Sequence, residues 1–150
     1  ASLGRKKLMF VIAECVEDQL PVYSSTEAAG ADLKSNEDVT IYPGKWMLVG
    51  TGIRLEMPKG IVGLIHPRSG LALKHGITVL NAPGTIDSDY RGEIKVLLYN
   101  ANTEPFDIAA GDRIAQIVFQ QYLTVEFLHG RVTEDTDRGV GGFGSTGIKS

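Results

Sequence analysis

Residues 77–99 constrain the fold more than any other part of this chain. They open with Ile77-Thr78-Val79-Leu80 and close with Glu93-Ile94-Lys95-Val96-Leu97-Leu98-Tyr99. Both flanks are rich in β-branched and apolar residues, which favours strands. Between them lies Asn81-Ala82-Pro83-Gly84-Thr85-Ile86-Asp87-Ser88-Asp89-Tyr90-Arg91-Gly92, dense in turn formers. Two strands therefore feed a polar loop that doubles back. The loop holds two carboxylates, a carboxamide, a phenol and a guanidinium. A connection of this length in a compact domain is more often functional than filler. On this stretch alone, an Asx-turn hairpin with solvated charges reads equally well.

The rest of the chain repeats the theme of short strands and Gly/Pro turns. Strands are expected at residues 8–12, 39–42, 46–49, 53–57, 61–65, 106–108, 113–122 and 124–129. Gly50-Thr51-Gly52 and Pro58-Lys59-Gly60 separate three of them, and residues 14–27 read as a loop. This spacing predicts an all-β sandwich or barrel. In Arg113-Ile114-Ala115-Gln116-Ile117-Val118-Phe119, strict alternation puts Gln116 on the face of Ile114 and Val118. There it is a core amide or a ligand contact. One stretch breaks the pattern: Pro67-Arg68-Ser69-Gly70-Leu71-Ala72-Leu73-Lys74-His75-Gly76 predicts a short helix, with Ser69 as N-cap and Gly76 as terminator. Its amino end beside Arg68 is either an anion site or a plain connector.

Composition narrows the function classes. The 150 residues are 43% hydrophobic, enough for a real core, and carry a net charge of −3. A mildly acidic chain lacks the basic footprint of a duplex nucleic-acid binder. The one cysteine, Cys15, excludes an intrachain disulfide and is expected in the core. His66, His75 and His129 are scattered, and no zinc pattern or triad motif is present. No apolar run reaches transmembrane length, so a soluble cytoplasmic protein without membrane contact is expected. Three regions are expected: a disordered N-terminus or expression remnant at 1–7, a β domain at 8–130, and a flexible arm at 131–150. That arm contains Arg138-Gly139-Val140-Gly141-Gly142-Phe143-Gly144-Ser145-Thr146-Gly147, with five glycines in ten residues. It reads as a phosphate-wrapping tail or as a frayed linker.

Five segments, taken in order, resemble the trimeric dUTP pyrophosphatase (dUTPase) family. They are Ala29-Gly30-Ala31-Asp32-Leu33, Pro67-Arg68-Ser69-Gly70-Leu71-Ala72, the loop 81–92, Gly111-Asp112-Arg113-Ile114-Ala115-Gln116, and the tail 138–147. Each is weak alone; five at compatible spacing are specific. One departure is Ala31, where many members carry an aromatic. The resemblance implies a jelly-roll-like β fold, a homotrimer with sites shared between chains, and Mg²⁺. It implies a dUTP diphosphatase, giving dUMP and pyrophosphate, limiting uracil in DNA and supplying dUMP for dTMP synthesis. Asp87 matches the base that activates water. Asp32 matches the acid that holds Mg²⁺ through water. Arg68, Ser69, Gly70, Gln116 and Arg138 match polyphosphate and water-positioning contacts, with Gly144, Ser145 and Thr146 as tail donors. Asn81 matches the side chain that helps read the uracil edge, Gly84 fixes the loop shape, and Thr85, Ile86 and Lys95 match further substrate contacts. Tyr90 matches the ring beneath the deoxyribose, and Phe143 the aromatic that covers uracil. The sister activity on this fold, deamination of dCTP, would need a glutamate segment that has no match here. A non-enzymatic binder on the same fold is the remaining alternative.

Overall fold

Alternation of buried and exposed residues builds most of the strands. The computed structural model describes residues 9–149. The expected remnant at 1–7 and Leu8 lie outside the described residues. Eleven strands and one helix follow in order: β1 (Ile12–Glu14), β2 (Val22–Tyr23), β3 (Ala31–Lys34), β4 (Val39–Ile41), β5 (Trp46–Glu56), β6 (Ile61–His66), α1 (Ser69–His75), β7 (Ile77–Val79), β8 (Gly84–Ile86), β9 (Glu93–Asn100), β10 (Phe106–Ile108) and β11 (Arg113–Gln121). They form a four-stranded sheet β1-β5-β9-β7, a five-stranded sheet β2-β3-β11-β6-β8, and a small pair β10-β4. Every pairing is antiparallel. The expected all-β architecture is therefore the observed one.

One apolar cluster joins the two large sheets. Ile53, Ile94, Val96 and Leu98 enter it from one sheet, and Leu33, Ile65, Ile114 and Ile117 from the other. In β9 the rhythm is clean: Ile94, Val96, Leu98 and Asn100 point in, while Glu93, Lys95, Leu97 and Tyr99 stay outside or at the margin. Ala31 is buried beside Leu33. Cys15 is only half-buried against this core, and burial, with Asp18 as a lesser cause, raises its thiol pKa.

The central hairpin forms as expected, with Ile77 opposite Asn100 and Val79 opposite Leu98. Several boundaries differ from the sequence reading. Strands at 46–49 and 53–57 are one strand, β5, and Gly50-Thr51-Gly52 is a bulge inside it. The bulge survives burial because side chains serve its amides. Glu37 accepts from the Gly50 N–H and Glu93 from the Gly52 N–H, both at 3.0 Å. Thr51 is fully buried and donates to the Ile94 carbonyl at 2.5 Å. Gly52 has φ +70, so glycine is required there.

Among the described residues the first strand starts at Ile12. Ile12 pairs with Glu56, and the partner strand then runs into Pro58, which has no N–H to offer. The 14–27 loop contains a short 3-10 turn, Glu17–Gln19, and β2. The last strand expected at 124–129 is absent. Extended backbone needs a pairing edge, and this segment has none among the described residues. Phe127 and Leu128 are consequently exposed. Helix α1 ends at Gly76 in the left-handed conformation, φ 66, as expected. Its N-cap is Arg68, not Ser69, with no side-chain cap bond. Ser69 is already the first helical residue, so its hydroxyl is left for other work.

Asn100 is the buried polar pin of the hairpin end. Its Nδ2 donates to the Ile41 and Glu104 carbonyls, and its Oδ1 accepts from the Asn102 N–H, all at 2.8 Å. Asn100→Ala removes all three and orphans a buried carbonyl, so stability should fall by about 2–4 kcal/mol. Urea unfolding followed by circular dichroism at fixed protein concentration checks this. A loss below about 0.5 kcal/mol, the scale of an ordinary surface change, would show that the pin is not needed.

Candidate active site

Strand register sets the first half of the site. Asp32 in β3 lies opposite Gln116 in β11, and Gln116 lies opposite His66 in β6. Cross-strand neighbours share a face, so three polar side chains stand in one row. A register shift between Arg113 and Ala115 makes this possible. It sends both Ile114 and Ala115 into the core and leaves Gln116 half-buried outside. Strict alternation from Ile114 is thus broken, and Gln116 is not a core amide. Its Nε2 donates to the Pro67 carbonyl at 3.0 Å. Gly30 lies under it: a Cβ there would sit 2.2 Å from Gln116 Oε1.

Beyond β6 the chain turns at Pro67 and delivers Arg68. Arg68 Nε is 3.4 Å from Asp32 Oδ1, and Arg113 Nη1 is 3.6 Å from Oδ2. Arg68 also donates to the Arg113 carbonyl at 3.1 Å. One carboxylate faces two guanidiniums, so the cluster keeps a net positive charge and suits a polyanion. Ser24, Ser69 and Gly70 complete a polar depression of about 180 Å³ around these groups. A Cβ at Gly70 would meet nothing, so the amide end of α1 stays open.

The second half of the site lies in the central hairpin. Its loop is not all turn: β8 pairs with β6, with Gly84 opposite Ile65 and Ile86 opposite Gly63. Gly84 is buried, and the Asn81 carboxamide lies beside it. Strand β8 ends its sheet, so one of its backbone edges is unpaired by strands among the described residues. The chain then turns at Asp87, whose carbonyl accepts from the Tyr90 N–H at 3.1 Å. Tyr90 Oη donates to the Glu93 carbonyl at 2.8 Å. Thr85, Ile86, Asp87, Tyr90, Glu93, Lys95 and Leu48 line a depression of about 290 Å³.

The structure thus gathers Asp32, Arg68, Ser69, Gly70 and Gln116 in one depression, and Thr85, Ile86, Asp87, Tyr90 and Lys95 in another. The two share no lining residue. Tail residues Arg138, Phe143, Gly144, Ser145 and Thr146 line neither. Arg138 Nε donates to the Gly141 carbonyl at 2.6 Å, and Phe143 stands fully exposed at φ 32. Sequence reasoning missed Arg113, Ser24 and Glu93. Arg113 stands inside a segment already singled out and was legible. Ser24 arrives only because β2 pairs with β3. Among the described residues, no group of three or more His, Cys, Asp or Glu is placed to hold a metal, and no helix is long and apolar enough to cross a membrane.

The dUTPase family model matches residues 17–147. The chain belongs to the dUTPase family. A protein of Nautilia profundicola named deoxyuridine 5'-triphosphate nucleotidohydrolase is 56% identical over 87% of this chain and 92% of its own length. One of the same name from Corynebacterium diphtheriae is 55% identical, over 86% of each chain. Among solved structures, a dUTPase from Streptococcus mutans is 32% identical with a TM-score of 0.73, over 77% of this chain and 98% of that one.

The Gly30–Gln116 contact gives a direct check of the first half-site. In Gly30→Ala the new methyl cannot coexist with Gln116 as placed, so the carboxamide must leave the Pro67 carbonyl. The side-chain amide signals of Gln116 should shift in NMR spectra, and overpacking should cost about 1–3 kcal/mol. Unchanged signals and an unchanged melt would mean that Gln116 does not lie over Gly30.

Proposed function

We propose that this chain hydrolyses dUTP to dUMP and pyrophosphate, limiting uracil in DNA and supplying dUMP for dTMP synthesis. The observation that carries the reading is the turn binding Asp87 to Tyr90 within one depression. It holds an exposed carboxylate beside an aromatic ring, a base for water next to a platform for a sugar. Asp87 takes a proton from water as the oxygen attacks the α-phosphorus, and pyrophosphate leaves. Asp87 acts on water and forms no bond to phosphorus.

Uracil reading is assigned to the free edge of β8. Backbone N–H and C=O groups of residues 84–86 and the Asn81 side chain match the uracil edge. Cytosine presents the reverse pattern and would leave buried polar groups unpaired, at about 1–3 kcal/mol each. Tyr90 packs beneath the deoxyribose, where a ribose 2′-OH would collide with it. Phe143 covers the base from the far side.

The polyphosphate lies along Arg68, Ser69, the open amide end of α1, and Gln116. Arg138, Gly144, Ser145 and Thr146 close over it. Asp32 fits as the residue that holds Mg²⁺ through water. Its guanidinium partners stand at 3.4 and 3.6 Å, longer than tight charge-assisted bonds of about 2.7–2.9 Å, so its lone pairs remain available to ordered water. A lone carboxylate with substrate phosphates is a donor set that suits this ion. When bound, the ion supplies charge neutralisation at the phosphate oxygens.

The two half-sites and the tail complete one another between chains of a homotrimer. Three features support this. The depressions share no residue, the tail touches neither, and apolar Trp46, Leu48, Phe127 and Leu128 lie exposed in one chain. The tail is costly to order alone, since fixing each backbone residue costs about 1–2 kcal/mol. Contacts with substrate offset that cost.

Pyrophosphate release from dUTP, with none from dCTP, tests the activity. Asp87→Asn should keep dUTP binding and lose about 10²–10⁴-fold in turnover. Near-normal single-turnover rates in that variant would remove Asp87 from its role. A mixing experiment tests site sharing. Asp87→Asn with an intact tail, and a chain ending before Arg138 with Asp87 intact, should each be inactive. Co-refolding them should restore hydrolysis if the tail serves a neighbour. Mass-resolved heterotrimers without restored activity would overturn the shared site.

A further inference from the structure

The segment after Asp87 contains a glycine whose reason is neither turn geometry nor approach of a substrate. Gly92 does not have a left-handed φ, so its backbone suits any L-residue. What excludes a side chain is the Tyr90 ring. A Cβ on Gly92 would lie 2.5 Å from Tyr90 Oη, 2.6 Å from Cζ and 2.9 Å from Cε1. Those distances are far inside van der Waals contact. The outer end of the ring therefore lies against the Cα of Gly92, and the hydrogen bond from Oη to the Glu93 carbonyl holds it there at 2.8 Å. The Glu93 side chain is itself tied to the buried bulge of β5 through the Gly52 N–H at 3.0 Å. The ring is thus anchored to the core sheet by its tip and admitted to that position only by the missing Cβ.

From this geometry we infer that Gly92 is a positioning residue for sugar selection, acting through the Tyr90 ring. The inference rests on the reading of Tyr90 as the deoxyribose platform. A methyl at position 92 meets the far end of a side chain rather than backbone, so the ring yields and the loop does not. The ring swings off its carbonyl anchor and toward the depression or away from it. Either displacement changes the space in which a 2′-OH is refused. The Tyr90 N–H bond to the Asp87 carbonyl is a main-chain contact and is unaffected, so the base keeps its place. The effect is therefore expected in substrate choice and KM more than in kcat.

A double-mutant cycle on the full-length protein separates ring positioning from a general loop effect. The readout is the ratio of kcat/KM for dUTP to that for UTP. Gly92→Ala should lower this ratio by about 10- to 100-fold, the scale of a displacement of about 1 Å, with most of the change in KM. Tyr90→Ala should lower it as well. In the Tyr90→Ala background there is no ring to displace, so adding Gly92→Ala should change the ratio by no more than about twofold, the usual scatter of independent sites. The same drop in both backgrounds would overturn the inference, because the loop backbone would then carry the effect. An unchanged ratio in Gly92→Ala alone would also overturn it. Should Gly92→Ala fail to fold, the double variant supplies the answer. Folding and selectivity matching Tyr90→Ala would support the ring contact, and failure to fold would overturn it. An unchanged ratio in Tyr90→Ala alone would overturn the sugar reading itself, and the Gly92 inference with it, without involving any Gly92 variant.

Discussion

The pairing of β11 with β3 on one side and β6 on the other is the constraint on which the rest depends. It aligns Asp32, Gln116 and His66 across three strands, and it brings Arg68 to Asp32 at the end of β6. A slip of one residue would turn every side chain of β11 to the opposite face, burying Gln116 and expelling Ile117. Hydrophobic burial forbids that slip, since Ile114, Ala115 and Ile117 are among the most buried residues of the chain. The register shift after Arg113 is the device that reconciles core and site. It spends two successive residues on the core and then resumes alternation with Gln116 outside.

Irregular backbone near the site is held by polar side chains rather than by regular ladders. Glu37 and Glu93 satisfy the bulge amides of β5, Thr51 reaches Ile94, and Asn100 pins three backbone groups at the hairpin end. Buried amides and carbonyls without partners would destabilise each of these places. Glu93 connects the two levels. Its carboxylate serves the core bulge, while its carbonyl receives the phenol of Tyr90. The platform proposed for the sugar therefore inherits its position from the β5–β9 core sheet.

The proposed chemistry divides between a cationic depression and a nucleoside depression, with a tail that belongs to neither within one chain. This division makes physical sense for an enzyme on a small β domain. Strands place polar rows accurately on a sheet face, but one such face is too shallow to enclose a nucleotide and exclude water. In the proposed homotrimer a neighbouring chain and the tail would supply the missing walls, and the glycines of the tail would allow backbone amides to approach phosphate oxygens closely.

By itself the sequence determined the all-β class, the central hairpin, the short helix with its stop at Gly76, and the family. These follow from local causes: β-branched runs, turn formers at fixed places, and motif segments whose order is read directly. The motif segments that carry Asp32, Arg68, Asp87, Tyr90 and Gln116 were legible for the same reason. Only the tertiary structure decided that Gly50-Thr51-Gly52 is a bulge and not a turn, because the deciding carboxylates, Glu37 and Glu93, lie far away along the chain. It alone moved Gln116 off the face of Ile114, brought Ser24 beside Asp32, and laid the Tyr90 ring over Gly92. The apolar alternation at 124–129 suggested a strand that this chain does not form. A strand requires an edge to bond with, and no local pattern can say whether the fold leaves one within reach.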